Sequence, residues 1–257
     1  VVGSLAPFLW FVATSLKTPL EVTAIPPAPW PSGSLEFYRS AFGRYDLLHY
    51  LGNSVVVAGA STVVTVLLSA LAGYALARLR VPRREWLLGS LLLVAMFPQI
   101  SIAGPVWRIL RTLGWLNTYQ GLILPYVTLT LPLGVWILTS FFRQLPRDLE
   151  DAARVDGWGR LQTLFRVVVP LSAPGVFTAA ILVFIYAWNE FFFALLIMTE
   201  RRVQTLPVGI ALFQGEYTLP WGEIAAASTV ATVPLVALVL LFQRRIVRGL
   251  SAGALKE

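Results

Sequence analysis

Five stretches of this chain, residues 50–77, 86–107, 121–142, 167–189 and 224–243, contain no charged side chain. A helix that crosses a lipid bilayer needs about 20 consecutive, mostly apolar residues, and each stretch meets that length. The composition agrees: 57% of the residues are hydrophobic and 13% are charged, where a soluble domain carries about 25% charged residues. One soluble core cannot hide that much apolar surface, so lipid must solvate much of the chain. The stretches are continuous rather than alternating, which argues against the roughly ten-residue strands of a membrane barrel. A sixth apolar segment, Val1–Leu16, is shorter and starts without Met; it reads as a first span whose upstream residues are missing. A signal peptide is the rival reading, but the segment lacks a basic head and a small-residue cleavage site. The expected fold is all-α and integral to the membrane. It has six transmembrane helices over about 1–16, 53–77, 86–107, 121–142, 174–198 and 223–243, in one domain covering 1–257.

The basic residues orient these spans. With the N-terminus inside, the inner loops hold Arg78, Arg80, Arg83 and Arg84, then Arg143, Arg147, Arg154, Arg160 and Arg166, then Arg244, Arg245, Arg248 and Lys256. That is 13 of the 20 Lys and Arg. Basic residues gather on the cytoplasmic side of membrane proteins, so both termini are expected in the cytoplasm. The net charge of +7 then follows from topology, and no nucleic-acid partner is needed. The absence of cysteine excludes disulfides, thiolate metal sites and cysteine nucleophiles. His49 is the only histidine; it cannot build a multi-histidine metal site and reads as an interfacial polar residue at the outer edge of the second span.

Between the first two spans, "IPPAPWP" (residues 25–31) is an extended proline-rich stretch. Residues 35–51 mix aromatics with charges, as in a helix lying on the membrane surface or a linker with an aromatic belt. Ser69, Gly73 and Ala77 recur at four-residue spacing, which lets helices approach closely in lipid. Pro98, Pro105, Pro125 and Pro132 remove backbone hydrogen bonds and bend helices. Asn189 and Glu190 are a strongly polar pair in a long apolar run. Such a pair either lines a transport path or gate, or makes an interhelical hydrogen bond near the outer interface.

The longest inner loop, 143–170, is built differently. Asp148, Glu150, Asp151 and Asp156 are four of the chain's 13 acids, and three of them lie in the first turn of a predicted eight-residue helix, where acids suit the helix dipole. Asp148 is expected to cap it, with Asp151 in the reciprocal position of an approximate capping box. Gly157 fits the left-handed position that ends such a helix. Leu161, Leu164, Phe165, Val168 and Val169 then form the stripe of a second, amphipathic helix. Eight residues are too few to stand alone, so the first helix needs a docking surface. Its acids are disfavoured near an anionic inner leaflet, which points to a protein partner; Ala152 and Ala153 give it a shallow face that a groove could receive.

"LEDAARVDGWGRLQTLFRVVVPLSAPG" (Leu149–Gly175) resembles the EAA loop of permease subunits of bacterial ABC importers. Asp151-Ala152-Ala153 stands where that family has Glu-Ala-Ala, Gly157 takes the glycine's place, and Val169-Pro170 the later hydrophobic-proline pair. The sequence departs from the pattern in Asp151, with Glu150 beside it. "AWNEFFFALLI" (Ala187–Ile197) and the tail "QRRIVRGLSAGALKE" (Gln243–Glu257) are similar to the carbohydrate-uptake branch, the maltose and trehalose type. The resemblance implies a coupling helix seated in a cytoplasmic ATPase, with Glu150, Asp151, Ala152, Ala153, Asp156 and Gly157 in the docking loop. It implies that Ser251, Ala252 and Gly253 contact the ATPase through the tail. The partners it implies are two ATPase subunits, a second homologous permease and an extracytoplasmic sugar-binding protein, beside membrane lipid. ATP and Mg would bind the ATPase; this chain needs no cofactor. It has no P-loop Gly-Lys-Ser/Thr step, since its only lysines are Lys17 and Lys256.

An ion-coupled secondary transporter is the alternative. It would show internal repeats and several intramembrane ionisable groups, whereas Glu190 stands alone here. A membrane-embedded enzyme would need a nucleophile–base pair or a metal cluster, for which the chain offers little.

Overall fold

The computed structural model describes residues 2–26, 28–213 and 219–254, and side chains over 6–26, 28–213 and 219–242. All regular structure among the described residues is helical. The helices in chain order are α1 (Val2–Ser15), α2 (Pro19–Thr23), α3 (Glu36–Gly43), α4 (Leu47–Arg78), α5 (Arg84–Ala95), α6 (Gln99–Thr112), α7 (Tyr119–Gln144) and α8 (Asp148–Val155). Then come α9 (Arg160–Thr163), a π-helical turn (Leu164–Val168), α10 (Val169–Leu171), α11 (Ala173–Asn189), α12 (Phe192–Ile197), α13 (Leu206–Ala211) and α14 (Trp221–Ala254).

Three helices are long and apolar enough to cross a membrane unbroken: Leu47–Arg78, Tyr119–Gln144 and Trp221–Phe242. Two bent helix pairs are apolar enough to pass the same test together, each as a broken span or a re-entrant loop, which makes three to five candidate spans among the described residues. Arg84–Ala95 and Gln99–Thr112 meet at 88°, and Arg160–Leu171 and Ala173–Asn189 at 85°. The single span expected over 86–107 is therefore two helices. Pro98 has no N–H to continue α5 and disfavours helical geometry in the residue before it; it stands instead as the N-cap of α6. By contrast α7 carries Pro125 and Pro132 in its interior and remains one helix. The segment expected over 174–198 is also divided, with α11 ending at Asn189 and α12 starting at Phe192. The surface helix read over 35–51 is shorter than expected. It is α3 alone, closed by a turn in which Asp46 takes φ 54°, after which Leu47 already begins α4.

The chain forms two compact units, Val1–Val56 with Glu190–Leu238, and Val57–Asn189 with Val239–Glu257. In the first, the start of α4 is tied to residues 202–209. Asn53 donates to the carbonyls of Arg202 and Gln204 at 3.2 and 2.8 Å. The Ser54 hydroxyl accepts from the N–H of Leu206 at 2.8 Å, capping α13. His49 Nε2 lies 2.6 Å from the Arg202 carbonyl, so the lone histidine is satisfied by backbone. The Tyr50 ring covers Gly209, where any side chain would strike it.

In the second unit α4 packs on α7 at the small residues noted above. A Cβ on Gly73 would come within 3.1 Å of the Thr139 backbone nitrogen, and one on Gly134 would collide with Ser69. Thr65 and Thr130 share a buried hydroxyl contact at 3.0 Å. Around this seam a core forms from Tyr74, Ala77, Ile137, Leu138, Phe142, Leu164, Val168 and Ala179.

Candidate functional site: the 143–170 elbow

Helix α8 spans the eight residues expected of it, with Asp148, Glu150 and Asp151 in its first turn. Its start differs from expectation. Asp148 is the first helical residue rather than the cap; Arg147 holds the N-cap position and no side chain caps the helix. The backbone is already helical one residue earlier, at Arg147 (φ −69°, ψ −27°), so Asp148 cannot fold its carboxylate back as a capping box requires. Its end is as expected. Gly157 has φ +80°, its N–H donates to Arg154 at 3.0 Å, and the Trp158 N–H donates to Ala153 at 2.9 Å. These two bonds are the Schellman pair that satisfies the last carbonyls of a helix.

The second limb departs from a regular amphipathic helix. Leu164 and Val168 are fully buried, but Leu161 and Phe165 are exposed. A π turn precedes Pro170, in which the Val169 N–H donates to Leu164. Proline would clash with the carbonyl four residues back and cannot bond to it; widening the turn relieves both. Leu161, before the π turn, and Phe165, about 100° round from Leu164, lie at the edges of the face that Leu164 and Val168 occupy.

The four acids of the elbow have two destinations. Glu150 points inward and is 5% exposed. One carboxylate oxygen lies 2.8 Å from Arg78 Nε; the alignment is not that of a hydrogen bond, so the contact is ionic. The other accepts from the Tyr74 hydroxyl at 2.9 Å. Arg78 Nη2 also donates to the Leu145 carbonyl at 2.6 Å. Tyr74 and Arg78 lie one turn apart at the end of α4, so this cluster bolts α8 to a membrane-spanning helix. Nothing in the sequence marks Tyr74 and Arg78 as its members beyond their four-residue spacing. Asp151, Ala152 and Asp156 face solvent, and Asp151 pairs with Arg154 at 2.9 Å on the surface. Ala153 is buried, so Ala152 alone of the alanine pair faces out. Leu149 and Val155 are exposed apolar side chains on α8, Val155 at 88%. The outer face is thus a short apolar strip flanked by acids.

Asn189 and Glu190 stand at the break between α11 and α12. The Glu190 carboxylate accepts from the N–H groups of Phe193 and Ala194 at 2.9 and 3.1 Å, and so caps α12 from one turn upstream. Asn189 donates to the Ile185 carbonyl at 2.7 Å. Ser251, Ala252 and Gly253 lie in the helical backbone of α14, but their side chains fall outside the described residues.

Residues 54–252 match the family described as binding-protein-dependent transport system inner membrane component. The chain is 47% identical to the trehalose/maltose transport system permease protein of Thermococcus litoralis, over 98% of this chain and 91% of that one. It is equally similar, at 47%, to the sulfoquinovosyl glycerol transport system permease protein of Agrobacterium fabrum, over 100% and 90% of the two chains. The trehalose transport system permease protein of Mycobacterium tuberculosis is 45% identical, over 100% and 94%. The fold is shared with a chain in the crystal structure of a bacterial ABC transporter involved in the import of the acidic polysaccharide alginate. That match has a TM-score of 0.79 and 19% identity, and covers 95% of this chain and 91% of that one.

Proposed function

This chain belongs to the family of binding-protein-dependent transport system inner membrane components, and we propose that it is the permease subunit of an ATP-driven sugar importer. The substrate class is a di- or oligosaccharide such as trehalose or maltose, the reading favoured by the names of its relatives. In this reading the chain has six spans with both termini in the cytoplasm, and the elbow lies on the ATPase side. Two ATPase subunits bind and hydrolyse ATP with Mg, a second homologous permease completes the path, and an extracytoplasmic binding protein delivers the sugar.

The observation that carries this reading is the two-sided construction of α8. Its inner side is held to α4 by the Glu150–Arg78 contact. Its outer side offers Leu149, Ala152 and Val155 between Asp148, Asp151 and Asp156. A helix so held transmits a push at its outer face to the spans rather than folding under it. In this reading Asn189 and Glu190 belong to a gate at the break in the fifth span, and the tail residues Ser251, Ala252 and Gly253 reach the ATPase. Co-expression with its chromosomal neighbours and purification in mild detergent tests the proposal. A P-loop ATPase and a second permease should co-purify, and ATP should drive sugar uptake in proteoliposomes. Transport by the chain alone would refute it and leave an ion-coupled transporter in its place.

A further inference from the structure

Behind the elbow, within the second unit, lies a cavity of about 1410 Å³ whose lining is strongly basic. Seven of its fifteen lining residues are arginines, against one carboxylate, Glu85. Three of these arginines are engaged: Arg78 with Glu150, Arg84 with Glu85, and Arg154 with Asp151. The lone Glu85 is contacted from a second side by Arg143 at 2.9 Å. Arg80, Arg83, Arg147 and Arg160 make no ion pair among the described residues. All four are exposed, so their charges are screened, but together they give the hollow a positive potential that favours an anion. The N-terminus of α5 opens on the same hollow through Arg84, Glu85 and Trp86, and no side chain caps it. Its free N–H groups and helix dipole add to the attraction for a phosphate.

The rim indicates what carries that phosphate. Trp86 lines the cavity and is 80% exposed; tryptophan so placed marks the boundary of headgroups and acyl chains. From it α5 continues with Leu87, Leu93 and Val94 exposed, an apolar track that begins where the basic hollow ends. We propose that this cavity binds the headgroup of an anionic phospholipid from the inner leaflet, with its acyl chains along α5. Arginine suits this task because its planar fork engages phosphate oxygens in pairs. The proposal rests on the importer reading for its placement at the cytoplasmic face.

The complete transporter, reconstituted in nanodiscs with and without phosphatidylglycerol, is extracted and its retained lipid counted by native mass spectrometry. The expected result is retained phosphatidylglycerol in the wild type. Retention should weaken on the order of fivefold for each of Arg83→Gln and Arg147→Gln, recover only in part in Arg83→Lys and Arg147→Lys, which keep the charge without the fork, and stay unchanged in Arg108→Gln, which lies outside the cavity. Equal retention in the wild type and the double glutamine variant overturns the proposal. Release of the lipid by inorganic phosphate at matched ionic strength assigns the site to free phosphate and overturns the lipid. A crosslink to the ATPase from Arg83→Cys, which lines the hollow outside the docking loop, assigns the hollow to an acidic protein segment and also overturns it. Uptake in the same discs is the separate check on function. Uptake without lipid retention removes this site alone, and lipid retention without ATP-driven uptake removes the importer reading alone.

Discussion

Replacing Glu150 by Gln keeps the size of the side chain and the acceptor for Tyr74 but removes the charge. Arg78, with a side chain only 5% exposed, is then a buried cation left with the Leu145 carbonyl. Breaking a buried ion pair from one side costs about 3–5 kcal/mol, equivalent to a shift of roughly a hundred- to several-thousand-fold in the population of the docked state. An eight-residue helix has little stability of its own, so most of this loss should fall on the seating of α8. Two assays read it. Hydrogen exchange at the α8 amides should accelerate by about two orders of magnitude or more. In proteoliposomes containing the whole transporter, ATP hydrolysis should persist while sugar moved per ATP falls. Adding Arg78→Met to Glu150→Gln removes both charges and should recover much of the loss, since a buried pair replaced by neutral groups of like size is often nearly neutral. Unchanged α8 protection in Glu150→Gln, or a double variant whose cost is the sum of the singles, would refute the idea that this contact seats the helix.

Three further outcomes follow from the geometry. Gly157→Val meets no steric obstacle, as nothing lies within 4 Å of a Cβ there, but the residue must keep φ +80°; it should destabilise the corner by about 1–2 kcal/mol, seen as less ATPase retained through detergent purification. Val155→Asp should leave thermal stability within about 0.5 kcal/mol, as expected at an exposed site, yet lower ATPase co-purification; normal co-purification would place the docking face elsewhere. Glu190→Gln leaves one of the two N–H groups of α12 without a good acceptor, at about 1–3 kcal/mol. If the break gates the path, uptake by this variant falls further than its assembly with partners does; equal losses of both would reduce Glu190 to a cap.

The elbow was readable where local chemistry dictates it. Gly157 marks the end of α8 and the clustered acids its first turn, one residue away from the expected cap, because a left-handed corner and a helix dipole act within one turn. The direction of Glu150 was not readable. Neighbouring residues on a helix point about 100° apart, so either Glu150 or Asp151 could have faced inward. The choice is made by Tyr74 and Arg78, more than 70 residues away in sequence. The π turn was hidden for a similar reason: the stripe from Leu161 to Val169 is a sound helical pattern, and a wider turn before Pro170 leaves no mark in it. Prolines announced bending but not its degree. Pro98 separates two helices as the N-cap of the second, while Pro125 and Pro132 are absorbed within α7, which runs unbroken through both.

The two faces of α8 answer to different authorities. The inward face is constrained by this chain's own Tyr74 and Arg78, and the outward one only by whichever protein sits against it. On the proposed coupling, outward residues can therefore change without disturbing the contact that transmits force, and the partner is exchangeable in a way that the transmission is not. For the construction of hybrid importers, the transplant needed to redirect this subunit to a foreign ATPase is small. It comprises Leu149, Asp151, Ala152, Val155 and Asp156, with Glu150 left in place.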